Sequence, residues 1–355
     1  MLKVAIVGAG AIGSATAAYL MQKGHFVGVW SQSYSQHEAQ QNGAVPLTTT
    51  GAVEGNFRLH TISQLADLSG YDVVFIALPA TAYADVLPDL ARHLPSHIKV
   101  IFSGALSLAP LWLREMAQSH GQTPTIIAWG TTLLAAHFQK KGVLHIPFIR
   151  KKFDVAAIPS CQTEQAARLC ADLFDIEIGC ARSVLDACLS NINPIAHAGQ
   201  IIGNFSRIDR QETWLLFEHF TRSGINIAEN LDVERLAIAS AFGAAPRSLQ
   251  QHYALSYNVT DAPLPRMVRE IFEGGSRTQG PRALDHRYLF EDMPYGLVFL
   301  ERLAACAGLN CPVMTSAITL LEVMTQRPIR ESNRIIDTIF AGDDSVESII
   351  SRCAG

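Results

Sequence analysis

The sequence predicts an α/β protein in two parts, a doubly wound parallel sheet followed by an all-helical C-terminal domain, and three observations lead there. Strand-like and helix-like segments alternate through the first half, a glycine fingerprint stands at the first strand-to-helix turn, and beyond about residue 180 the period is helical throughout. A chain of 355 residues is long for one domain and comfortable for two. They are drawn here as residues 1–180 and 181–355.

Leu2 to Val7 (LKVAIV) is a short apolar run rich in branched residues that stops at a glycine, the pattern of a buried parallel strand. Ser14 to Gln22 is rich in Ala and Leu and reads as a helix. His25 to Trp30 gives a second strand, and after a polar loop Tyr71 to Leu78 gives another. Lys99 to Phe102 and Thr125 to Ala128 continue the alternation, with further strand-like runs at Val155 to Ile158 and Ile176 to Ile178. Later segments have helical period, punctuated by Pro or Gly at positions 194, 224, 243, 246, 265, 294, 308 and 312.

Hydrophobic residues make up 48% of the chain and charged ones 17%, a composition that buries a real core and argues against disorder. A net charge of -4 leaves no basic excess for a phosphate backbone or an anionic membrane surface, so nucleic acid and membrane are not expected partners. The seven cysteines are scattered with no C-x-x-C spacing, which points to reduced core residues and no metal. Glycines at 8, 10 and 13 interrupt the apolar N-terminus, and no later run is long enough to span a bilayer. The expectation is a soluble, cytoplasmic protein. Helices with few charges suggest a sizeable subunit interface, such as a homodimer would bury.

Gly8-Ala9-Gly10-Ala11-Ile12-Gly13 satisfies G-x-G-x-x-G directly after a strand and at the opening of a helix, the context that makes this motif a dinucleotide site. Gly8 permits the tight turn, Gly10 lets the backbone approach a pyrophosphate, and Gly13 allows helix and strand to pack closely. At Ala11 and Ile12 the helix begins, and its free N–H groups suit phosphate. A Rossmann-type domain holding NAD or NADP follows. At the end of the second strand, Trp30-Ser31-Gln32-Ser33 carries neither the acid that grips an NAD ribose nor an arginine for a 2′-phosphate, since the first acid is Glu38 and the first arginine Arg58. An uncharged, hydroxyl-rich end tolerates phosphate better than a carboxylate would, which leans towards NADP. Leu78-Pro79 and Ser103-Gly104 follow strands and stand where ligands of open α/β sheets bind.

Two stretches of the helical part carry more polar chemistry than packing needs: Asn191 to His197 and Asp285 to Gly296. Asn193 and His197 are four apart, hence on one side of a continuous helix, with Pro194 either kinking that helix or occupying its first turn. Asp292 precedes Pro294, which reads as the first-turn proline of a helix running from Gly296 to Ala307. That makes Asp292 a helix N-terminal acid, either a plain cap or the partner of an imidazole. After Lys152 the chain has no lysine. Mechanisms of the glycerol-3-phosphate, β-hydroxyacid and ketopantoate reducing families, which rely on a late lysine, cannot operate unchanged. His197 is the natural acid-base group in its place.

These residues resemble the octopine and nopaline (opine) dehydrogenase family, which joins a Rossmann domain to a helical catalytic domain. The matches are Asn193-Pro194 followed by His197, and Arg287-Tyr288 followed by Glu291-Asp292-Met293-Pro294-Tyr295-Gly296. The resemblance implies an acid-base dyad of His197 and Asp292, with Arg287 binding a substrate carboxylate and Asn193 nearby. It implies an NAD(P)-dependent oxidoreductase acting on CH–NH groups, joining an amino acid to an α-keto acid through an imine that is reduced by hydride. Thr131 to Phe138 is similar to the family's stretch near the nicotinamide, making Thr132 and His137 pocket candidates. It departs from the family in having Phe138 where an arginine usually stands, which leaves the identity of the substrate pair open. Two other readings of the same residues are a simple 2-keto acid or imine reductase and a non-catalytic dinucleotide sensor.

Overall fold

The computed structural model describes residues 1–32, 43–342 and 344–355. It divides into two compact units, Met1–Cys188 with Ser351–Gly355, and Leu189–Ile350. The last five residues thus join the first unit, where Arg352 grips Glu115 through Nε at 2.7 Å and a terminal nitrogen at 2.9 Å. A division by linear pattern at 180/181 has no means of seeing that return of the chain. Among the described residues, no helix is long and apolar enough to cross a membrane.

The first unit is built on one sheet of eleven strands: β1 (Lys3–Val7), β2 (Phe26–Trp30), β3 (Ala44–Gly51), β4 (Gly55–Thr61), β5 (Val73–Ile76), β6 (Lys99–Phe102), β7 (Thr125–Trp129), β8 (Leu134–Lys140), β9 (Val143–Ile149), β10 (Lys152–Ile158) and β11 (Glu177–Cys180). Their order is β11-β10-β7-β6-β5-β1-β2-β4-β3-β9-β8. From β7 to β4 every neighbouring pair is parallel. The chain leaves β1 for β2 on one side and later returns to β5 on the other, so the carboxyl ends of β1 and β5 form the switch point where such sheets bind ligands. Branched residues buried on both faces, Val4 and Ile6 in β1 and Val73 to Ile76 in β5, are what a central parallel strand requires. Around them pack Phe75, Trp129 and Phe174, with Trp129 edge-on to the other two rings at 5.2 Å.

Antiparallel additions flank this parallel core. β10 pairs antiparallel with β7, β3 with β4, and β8 with β9. The segment 44–61, a loop by its polar sequence, is a hairpin whose strands are half-exposed and include Pro46. Its outer strand is held by parallel pairing of Thr48 to Gly51 with Val143 to Ile146, a partner far along the chain. Pairing within the hairpin, with β2 through β4 and with β9 through β3 makes these residues strands.

In the second unit the helices Asn193–Gly203 and Arg222–Ala241 cross through glycines. A Cβ on Gly224 would lie 2.7 Å from the Gly199 carbonyl oxygen, a Cβ on Gly199 would overlap the Gly224 carbonyl, and one on Gly203 would come within 3.3 Å of Gly224 Cα. The helix Asn193–Gly203 is pinned on another side by Gly296, whose missing side chain leaves room for the Pro194 ring. Fully buried Arg235 donates to Asp232 Oδ1 and to the carbonyls of Leu189 and Arg247, while Asp232 Oδ2 accepts from the Leu249 N–H. Every charge in that core is answered by a hydrogen bond, the condition for burying one. The chain from Tyr288 to Val298 is a π-helix, running directly into the helix Phe299–Cys306.

Replacing Gly224 with Ala is expected to force the two helices apart at a cost of about 1–3 kcal/mol, read as a lower urea midpoint. Gly342, with open space around its Cα, is the control; Gly342→Ala should shift stability by no more than about 0.5 kcal/mol.

Candidate active site

The turn after β1 has the geometry that the fingerprint requires. Gly8 adopts φ +115°, and a Cβ there would lie 2.6 Å from the Ala77 carbonyl oxygen at the end of β5. A Cβ on Gly13 would overlap the Gly8 carbonyl, so the helix Ala11–Gln22 sits directly on the turn. Around Gly10, by contrast, nothing among the described residues lies within 4 Å of where a Cβ would stand. Two glycines are therefore demanded by the protein's own packing, and the third is left open on the outside. Gly10 is the N-cap residue and offers no side chain to the helix, so the first-turn N–H groups at Ala11 and Ile12 meet no capping oxygen. An open glycine beside an uncapped helix N-terminus fits a pyrophosphate.

Leu78 packs against this turn, within 3.3 Å of the Cβ position at Gly8, and Pro79 beyond it is exposed. Ser31 follows β2 and is half-buried; Ser33 and Glu38 lie outside the described residues. At the end of β6 the Ser103 hydroxyl is buried without a hydrogen-bond partner among the described residues, and Thr132 Cγ2 stands 3.5 Å from the Cβ position at Gly104. His137 is placed differently. It lies exposed on the outermost strand β8, directly opposite His145 of β9, with ring centroids 5.3 Å apart.

The second unit assembles the polar cluster. Pro194 falls in the first turn of the helix that starts at Asn193, so it costs no backbone bond and the helix continues unbroken past His197. Asn193 is exposed, and its N–H is taken by Asn191 Oδ1 at 3.0 Å. His197 Nδ1 lies 2.7 Å from Asp292 Oδ2, with the imidazole side chain 13% exposed and the carboxylate 2%. An aspartate so deeply buried accepts from Nδ1–H, which leaves Nε2 as the ring's free nitrogen.

Asp292 reaches this position by a route the sequence conceals. It is not the N-terminal acid of a helix beginning after Pro294; both residues lie inside the π-helix Tyr288–Val298. The wider i→i+5 turn tolerates the missing proline N–H, and Asn333 Nδ2 satisfies the Pro294 carbonyl at 3.0 Å. A helix-end dipole therefore plays no part in holding the Asp292 charge. Its work is done by the imidazole hydrogen bond.

Two further side chains of the π-helix frame the pair. The Tyr288 ring lies flat on His197, with centroids 3.4 Å apart and planes 15° from parallel. Burial, with the Asp292 carboxylate, raises the proton affinity of the Tyr288 phenol, which stays neutral. Beside it, burial and the neighbouring His197 and Arg287 lower that of His286. Arg287 is 59% exposed and lies 3.0 Å from Glu291, whose carboxylate is 9% exposed. One edge of the guanidinium is thus fixed while the rest meets solvent. The glycine crossing behind His197 escaped the sequence reading, although Gly199-Gln200-Ile201-Ile202-Gly203 carried its signal as small residues one turn apart.

Gly10 offers a separable test of the first half-site. Gly10→Ala should leave the melting temperature of the free protein unchanged, and binding of NADH and NADPH by fluorescence should weaken about tenfold or more if a methyl group meets the pyrophosphate.

A family model described as the alpha-helical domain of NAD/NADP octopine/nopaline dehydrogenase matches residues 180–325, and that of ketopantoate reductase PanE/ApbA matches residues 4–104. The chain is 25% identical to an opine dehydrogenase of Arthrobacter sp. (strain 1C) over 94% of both chains. It is 23% identical to Protein ocs of Agrobacterium tumefaciens (strain Ach5) over the full length of both. Octopine dehydrogenase solved with NADH and L-arginine superimposes with a TM-score of 0.79 at 15% identity, over 99% of this chain and 98% of that one. Yersinopine dehydrogenase with bound NADP+ superimposes at 0.71 and 13% identity, over 100% and 98%. The similarity thus runs through both the glycine fingerprint and the helical segment that carries His197 and Asp292, and that segment matches the alpha-helical domain of the octopine/nopaline dehydrogenase family.

Proposed function

We propose that this protein is an NAD(P)-dependent opine dehydrogenase, joining an amino acid to an α-keto acid by reversible reduction of the imine they form. The observation that carries the reading is the buried Asp292 carboxylate 2.7 Å from His197 Nδ1, in a chain with no lysine beyond Lys152. The nicotinamide, when bound, supplies the hydride that reduces the imine carbon. His197 Nε2 gives and takes the protons of condensation and reduction, since Nδ1 is committed to Asp292. Asp292 fixes the tautomer and offsets the positive charge that the ring acquires. Arg287, steadied by Glu291, clamps a substrate carboxylate through its free edge. Asn193 and Thr132 are assigned to substrate binding. Nothing around His137, which faces His145, supports the same role for it.

For the cofactor, the fit rests on Gly8, Gly10, Gly13 and the N–H groups of Ala11 and Ile12, with Leu78 and Pro79 on the flank. The uncharged Ser31-Gln32 end of β2 supports NADP over NAD.

The test is oxidation of NADPH and NADH across a matrix of α-keto acids, each with and without a panel of amino acids. Turnover is expected only with both partners, and His197→Ala should lower kcat by about 10²–10⁴-fold. Asp292→Asn should lower kcat about 100-fold or more with little change in KM, whereas Arg287→Lys should act mainly on the KM of the carboxylate substrate. Turnover with keto acid alone would replace this reading by a simple keto acid reductase.

A further inference from the structure

The Asp292 hydrogen bond fixes one atom of the His197 ring and leaves the ring free to pivot about that bond. A general acid-base group that pivots is productive for a fraction of the time, and misplacement by about 1 Å can cost about 100-fold in rate. The pivot is blocked by Tyr288, whose ring lies flat against the imidazole at 3.4 Å and 15°. Tyr288 is fixed in turn: its backbone N–H donates to His286 Nδ1 at 3.3 Å, and the His286 ring meets it edge-on at 4.5 Å and 84°. The group that sets the plane of the imidazole and the group that takes its Nδ1–H both belong to the π-helix Tyr288–Val298, four residues apart. A single element therefore determines the whole orientation of the ring.

We propose that Tyr288 is a positioning residue for His197: it covers one face of the imidazole and holds its plane, so that Nε2 exchanges protons from a fixed direction and the uncovered face is the one open to substrate. The proposal rests on the acid-base role given to His197 above. The face of the phenol ring, and not its hydroxyl, does the work, and an electron-rich face is also attractive to the imidazolium formed between proton transfers.

The test has a spectroscopic arm that is independent of activity. In histidine-labelled protein, with the His197 signals assigned by their loss in His197→Gln, the ring C–H resonances of His197 should be displaced upfield by the Tyr288 ring current. Tyr288→Phe should keep that displacement and Tyr288→Leu should abolish it. On the substrate pair found in the assay above, Tyr288→Leu should lower kcat about 10–100-fold with KM within about twofold. Tyr288→Phe should retain kcat within about threefold, the rescue that a ring-face role requires. Undisplaced His197 resonances in the unmutated protein would overturn the proposal whether or not any variant folds. So would a Tyr288→Leu enzyme with full kcat, or a Tyr288→Phe enzyme as impaired as Tyr288→Leu. If His197→Ala itself proved active, the acid-base reading would fall, while the resonances would still report the stack.

Discussion

Taking a carboxylate out of water costs several kcal/mol unless another group answers its charge with a hydrogen bond, and Asp292, 2% exposed, is answered by His197 Nδ1 at 2.7 Å. Much of the second unit can be understood as what is needed to bring those two atoms together. His197 stands on a helix whose first turn absorbs Pro194 and whose far side approaches another helix closely enough that Gly199 and Gly224 admit no side chain. Asp292 stands on a π-helix that receives Pro194 at Gly296. Each element is located by a contact that a single methyl group would disturb, which is how a hydrogen bond of fixed length is maintained without relying on the hydrogen bond itself.

The π-helix deserves its place in this arrangement for a chemical reason. A regular α-helix through Tyr288–Val298 would have to break or kink at Pro294, and the wider turn lets the chain carry that proline, whose own carbonyl accepts from Asn333 Nδ2. It also displays two parallel pairs: Tyr288 with Asp292, directed at His197, and Arg287 with Glu291, in which the exposed guanidinium is held by a buried carboxylate. Orientation of the imidazole and presentation of a guanidinium are thereby delegated to neighbouring residues of one rigid turn.

The glycine turn of the first unit obeys a different logic. Gly8 and Gly13 are glycines because the protein's own backbone fills the space a Cβ would need, whereas among the described residues nothing lies within 4 Å of a Cβ on Gly10. A glycine that the described packing does not require, next to a helix end that no side chain caps, has the features that suit an anion. That distinction separates the two glycines that the described packing requires from the one that it does not. It cannot be drawn from the motif, in which all three look alike.

The sequence by itself determined the local grammar: a branched, apolar β1, the fingerprint at Gly8 to Gly13, the helical period beyond about residue 180, and the two polar stretches around His197 and Asp292, whose resemblance to opine dehydrogenase motifs implied the dyad. Those features are legible because they rest on neighbours a few residues away, or on side-chain types that chemistry demands. What only the tertiary structure decided depends on partners distant in the chain. The strands of 44–61 are inserted between β2 and β9, and the terminal residues rejoin the first unit through Arg352 and Glu115. Pro294 sits inside a helix and its carbonyl is taken by Asn333, while Gly296 makes room for the distant Pro194. His137, a pocket candidate by its neighbours in sequence, stands on an outer hairpin opposite His145 because strand pairing, not sequence proximity, sets where it lies. In each case the free energy comes from burial and hydrogen bonding between segments that meet only once the chain has folded.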